Sequence, residues 1–88
     1  MIESTVEIVN KAGLHARAAS KLVAVTSSFS SDIQIGLTTM VDGKSILSLM
    51  MLAAVQGTHI KILVDGRDEA LALKAIIALV SDRFGEDE

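Results

Sequence analysis

The sequence contains no cysteine, so it offers neither disulfides nor thiolate metal sites, and it fits a reducing compartment without requiring one. Tryptophan and tyrosine are absent too, and the net charge is −3. Nothing is available to stack on bases and little cation to displace counterions, which argues against nucleic acid as a partner. No apolar run approaches about 18 residues, so no membrane span is expected. Glu3 and Glu7 do not suit the basic start of a signal peptide, and the expected compartment is the cytoplasm. His15 and His59 lie far apart and no His or Cys pair has ligand spacing, which leaves no candidate metal site. Gly36, Gly43 and Gly57 are isolated turn glycines without nucleotide-loop spacing, and no cofactor is expected.

What remains is one small domain, residues 1–88, because a chain this short buries only about 60% of its unfolded surface and cannot support two cores. Its first 50 residues balance Lys11, Arg17, Lys21 and Lys44 against Glu3, Glu7, Asp32 and Asp42, so the acidic excess lies in the second half. Arg17 and Lys21 are four apart and share a helical face.

Residues 2–9 alternate, with Ile2, Val6 and Ile8 on one side and Glu3, Thr5 and Glu7 on the other, as in a strand with one wet face. After a loop from Asn10 to Gly13, a helix is expected from Ala16 to Ser27, with Ala19, Leu22, Val23 and Thr26 facing the sheet. A serine-rich connection around Phe29 leads to a strand through Ile33, Ile35 and Leu37, then to a short one from Met40 to Asp42. Ser45 is placed to cap a second helix from Ile46 to Ala53. That helix is apolar all round, and Leu49 and Leu52 are expected inward, with Ile46, Leu47 and Met50 left as an exposed surface. Residues 59–65 alternate again, with Ile60, Ile62 and Val64 inward and His59 on the wet face. Asp68 is expected to cap a last helix whose stripe runs Leu73, Ile76, Ile77, Val80 and Phe84, followed by a frayed Gly85 to Glu88 tail. The order β-α-β-β-α-β-α, with helices over one face of a sheet, is an α+β two-layer domain.

The chemistry is concentrated at Gly13-Leu14-His15-Ala16-Arg17, where a tight turn becomes a helix. The first N–H groups of a helix lack internal partners and carry the positive end of its dipole, so an anion is favoured there. The dipole and Arg17 both favour a neutral imidazole, the form able to attack phosphorus, and both would stabilise a phosphoryl group once attached. Taken alone, a histidine between a turn glycine and a helix is more often a plain, partly exposed cap.

This stretch, continued by Ala18 and Ala19, resembles the phosphohistidine motif of the HPr family, the histidine phosphocarriers of the phosphoenolpyruvate-dependent phosphotransferase system. The likeness extends through Gly43-Lys44-Ser45-Ile46 and Gln56-Gly57-Thr58 and covers nearly the whole chain. It implies an HPr-like open-faced β-sandwich with an antiparallel four-stranded sheet and three helices on one face. By the same resemblance, His15 would take a phosphoryl group at Nδ1 from an enzyme I type donor and pass it to a IIA-type acceptor. Arg17 and the backbone N–H groups of Ala16 and Arg17 would hold its oxygens. Ser20, Lys21, Ile46, Leu47 and Met50 would form the docking surface, and Ser45 matches the serine modified by HPr kinase/phosphorylase. Such a carrier is expected to be monomeric and not a stand-alone enzyme. The family usually has proline where this chain has Ala18, which surrenders some rigidity while keeping the helix. Ala18, Met50-Met51-Leu52-Ala53-Ala54 and Phe84-Gly85-Glu86-Asp87 resemble the nitrogen-related, NPr-like branch more than the sugar-transport one. The competing reading, from a different class, is a non-catalytic regulatory module that binds a partner through Ile46, Leu47 and Met50.

Overall fold

Alternation of apolar and polar residues is what organises the molecule, and in the computed structural model, which covers residues 1–88, each alternating stretch is a strand. They are β1 (Ile2–Glu7), β2 (Asp32–Gly36), β3 (Met40–Asp42) and β4 (His59–Asp65), joined through α1 (Ala16–Thr26), α2 (Ile46–Met51) and α3 (Glu69–Ser81), with a 3-10 turn at Arg83–Gly85. The sheet order is β1-β4-β2-β3 and every pairing is antiparallel. Ile2 stands opposite Val64 and Val6 opposite Ile60, so like faces meet across the pair. Ile33, Ile35, Ile60, Ile62 and Val64 point into one buried layer with Ala19 and Leu22 of α1, Leu49 of α2 and Ala72, Ile76 and Val80 of α3. Glu3, Thr5, Glu7, Gln34 and Lys61 occupy the wet face. No helix is long and apolar enough to cross a membrane.

Several expectations are corrected by tertiary detail. The first strand pairs only to Glu7, because Ile8 turns its backbone to Thr58 and Gly57 instead. Leu37 lies beyond β2 and is exposed, since the chain doubles back so tightly that a side chain at Gly36 would collide with the Thr39 carbonyl. The second helix stops at Met51, two residues early, because Ala53 adopts a left-handed conformation (φ 52°) that redirects the chain. Leu52 is consequently half-buried. In α3 the fully buried register is Ala72, Ile76 and Val80, four apart along the face turned to the sheet, with Leu73 and Ile77 at its edge and only half-buried.

Asp68 occupies the N-cap position of α3 but its side chain caps nothing there. Its carboxylate instead accepts the backbone N–H of Ser30 at 2.9 Å and of Ser31 at 3.0 Å, together with the Ser31 hydroxyl, fastening the serine loop to the start of α3. The Ser31 hydroxyl first, and then the backbone bond from Ser30, pull the Asp68 carboxyl down from 3.8 to about 2. The folded chain therefore takes up this proton less readily than the unfolded chain. The resulting stability is present above the unfolded value and is lost as pH falls toward 2. Melting temperatures recorded between pH 5 and pH 2 should accordingly fall less steeply for Asp68→Asn than for the parent. Parallel curves would show that the fastening adds nothing.

Candidate functional site

The loop that presents His15 is fixed from beneath. Asn10 is fully buried, and its amide Nδ2 donates to the Gly13 carbonyl at 2.8 Å. Gly13 has φ 72°, and a Cβ there would lie 2.6 Å from the Ala54 carbonyl oxygen, so both its conformation and its contact require glycine. The next N–H, of Leu14, donates to that same Ala54 oxygen at 2.8 Å. The Leu14 side chain is buried. The left-handed bend at Ala53 thus has a use, because it delivers the acceptor that anchors the loop.

His15 follows with an extended backbone (φ −82°, ψ −179°) and is the N-cap of α1. Its carbonyl accepts the first helical bond, from Ala19, and its ring Nδ1 accepts the backbone N–H of Arg17 at 3.2 Å. Ala16 and Arg17 form the exposed first residues of the helix, while Ala18 is fully buried and begins the packed face. His15 lies in the wall of an open depression of about 720 Å³ with Lys11, Ala12, Arg17 and the acidic tail.

That tail is where the structure departs furthest from expectation, for Gly85 to Glu88 is docked, not frayed. Arg83, Phe84 and Gly85 all have positive φ (56°, 53° and 78°), which turns the chain sharply back from α3 toward α1. Left-handed non-glycine residues cost roughly 1–2 kcal/mol each, and here the compensation is full burial of Phe84 and a 2.8 Å bond from Lys21 Nζ to the Phe84 carbonyl. Beyond the turn, the Glu86 carboxylate bonds His15 Nε2 with one oxygen and accepts Asn10 Nδ2 at 3.0 Å with the other. The Lys11 N–H donates to the Glu88 carbonyl, and Lys11 Nζ lies 3.6 Å from the Glu88 carboxylate. The hydrogen bond from His15, then that from Asn10, hold the Glu86 carboxyl below the usual carboxylate range.

The charges around His15 are therefore mixed, whereas the sequence suggests only Lys11, Arg17 and Lys21. Lys21 spends its ammonium on the tail, and Ser20 beside it is exposed. Ser45 caps α2 as expected, its hydroxyl accepting the Ser48 N–H at 3.2 Å. Leu49 is fully buried, while Ile46 (41% exposed), Leu47 (68%) and Met50 (40%) face outward, joined by Met51 and Val55. His59 sits on the wet face, 3.7 Å from the Glu7 carboxylate and away from any helix start. Sequence reasoning missed Asn10 and Glu86. The available signal was Phe84, whose place on the buried stripe carries the residues just beyond it to the same end of the molecule as His15.

Comparison with known proteins agrees with this geometry. Residues 2–82 match the family described as "PTS HPr component phosphorylation site". The chain is 46% identical over its whole length to the whole of the phosphocarrier protein HPr of Neisseria meningitidis serogroup A. It is 44% identical to that of Pseudomonas aeruginosa, over 94% of each chain. The crystal structure of HPr-C-His from Thermoanaerobacter tengcongensis superimposes with a TM-score of 0.95 at 43% identity, covering both chains fully. The open antiparallel sheet with three helices is the HPr fold, and the protein is a phosphocarrier and not a stand-alone catalyst. The chain belongs to the HPr family of phosphocarrier proteins of the phosphotransferase system.

Proposed function

We propose that His15 is the phosphoryl acceptor of this carrier, charged at Nδ1 by an enzyme I type donor and discharged to a IIA-type acceptor. The observation that carries the reading is the cap itself: Nδ1 faces the Arg17 N–H at the start of α1, within an open depression. When phosphorus bonds to Nδ1, that N–H and the one of Ala16 are at hand for the phosphoryl oxygens, and the Arg17 guanidinium offsets their charge. Incubation with phosphoenolpyruvate and enzyme I should give an acid-labile, base-stable adduct by intact mass. A mass that never rises by one phosphoryl group would overturn the reading.

The carrier acts as a cytoplasmic monomer that meets its donor through Ser20, Lys21, Ile46, Leu47 and Met50. Support comes from the outward-facing apolar residues of α2 beside the His15 loop. Ala18, the Met50-Met51 pair and the Phe84-Gly85-Glu86-Asp87 tail favour the nitrogen-related branch over sugar transport.

Ser45 is the regulatory position, open to an HPr kinase/phosphorylase. A phosphate on its hydroxyl would set about two negative charges beside the apolar patch that the donor covers, adding desolvation cost and repulsion from an acidic partner. Ser45→Asp should keep its melting temperature while accepting phosphoryl groups from enzyme I several-fold more slowly. An unchanged rate at low salt would leave Ser45 a cap and nothing more.

A further inference from the structure

The two nitrogens of the His15 ring meet partners of opposite kind. Nδ1 faces a backbone N–H, a pure donor, and Nε2 faces the Glu86 carboxylate, an acceptor. A neutral imidazole has one donor and one acceptor, and only one assignment satisfies both neighbours: the proton is on Nε2 and the lone pair on Nδ1. The carboxylate is itself held. Its second oxygen accepts Asn10 Nδ2, and the Asn10 amide is buried and also bonded to the Gly13 carbonyl. Both partners of that amide are acceptors, which fixes its orientation.

We infer that Glu86 is a positioning residue that keeps the ring proton of His15 on Nε2 throughout the carrier cycle, so that only Nδ1 is offered to phosphorus. The inference rests on the proposal that His15 is the acceptor. On charging, the Nδ1–P bond forms as the donor's N–P bond breaks, the electron pair leaving with the donor nitrogen. The ring is then cationic, with Nε2–H against the Glu86 carboxylate. On discharge the Nδ1–P bond breaks, its electron pair returns to Nδ1, and the ring leaves as the neutral Nε2–H imidazole it was at the outset. No proton moves at His15 in either direction, and the poorer imidazolate leaving group is avoided. The cost is a carboxylate near the incoming phosphoryl group. It is offset by Lys11 from the loop and by Arg17 and Lys21 from α1, against which Asp87 and Glu88 contribute further negative charge.

The test uses phosphoramidate, a chemical donor that needs no enzyme I, on the parent, Glu86→Gln and Glu86→Ala. The ring nitrogen modified at His15 is read by NMR, and the hydrolysis of each adduct is followed across pH. The parent should carry phosphorus on Nδ1. Glu86→Gln retains an acceptor for Nε2–H and should do the same, whereas Glu86→Ala should give a substantial Nε2 adduct. The pH above which hydrolysis of the Nδ1 adduct slows should shift downward in Glu86→Ala, and less in Glu86→Gln, because the Nε2 proton is held less firmly. A merely structural tail would move neither the isomer ratio in a graded way nor the pH profile. Modification of the parent on Nε2, or a Glu86→Ala protein with the parent's isomer and profile, would overturn the inference. Failure of enzyme I to charge a parent that passes this test would count against the carrier proposal alone.

Discussion

A His15→Ala protein should take up no phosphoryl group from phosphoenolpyruvate and enzyme I, while His59→Ala should be charged nearly as fast as the parent. Both side chains are imidazoles, so the contrast comes from their surroundings. His15 caps a helix, lines an open depression with Arg17 and has Nδ1 against the Arg17 N–H, whereas His59 lies at a strand start next to the Glu7 carboxylate. Loss of fold cannot account for the expected result. Removing a capping side chain costs on the order of 1 kcal/mol, and no core residue is touched. Thermal melting and intact mass on the same preparations separate the two effects. Charging of the His15→Ala protein at the parent's rate would sink the assignment.

Leu47→Asp should weaken association with enzyme I by at least about tenfold while shifting the melting temperature by no more than about 2–4 °C. Leu47 is 68% exposed, and substitutions at such positions usually alter stability by less than about 0.5 kcal/mol. In a docked complex the same carboxylate would be stripped of water without a partner, at a cost of a few kcal/mol. Leu49→Asp is the control, because that residue lies two positions along on the inner face of the same helix, is fully buried, and its substitution should unfold the domain. A Leu47→Asp protein that melts normally and binds enzyme I as tightly as the parent would remove α2 from the docking surface.

How far the sequence could be read depended on the range of the interaction. Alternation at Ile60, Ile62 and Val64 and the helical spacing of Ala19, Leu22 and Thr26 are local, and the structure buries those residues as the periods require. The cap at His15 is local as well, set by a turn glycine followed by a helical run. Glu86 reaches His15 across 71 positions and Asn10 across 76, and nothing in a window of neighbouring residues encodes such a meeting. Asp68 shows the same limit at shorter range: its residue type marks a helix start correctly, yet its oxygens go to serines 37 and 38 positions earlier. Periodicity says which face is buried. It does not say which distant polar group completes a site.

The strand order has a consequence for how the chain comes to be folded. β4 hydrogen-bonds to both β1 and β2, so residues 2–7 have no sheet partner until residues 59–64 exist. During synthesis the amino-terminal half must wait, its apolar face uncovered, for the strand that joins it to β2. Such distant pairing raises the contact order and slows folding relative to a helical bundle of equal size. The ring environment of His15 matures later still, because its partner Glu86 lies 71 positions downstream. A nascent chain has its histidine early but the carboxylate beside the ring only once Glu86 has left the ribosome, so a carrier still in synthesis offers partners an unfinished ring environment.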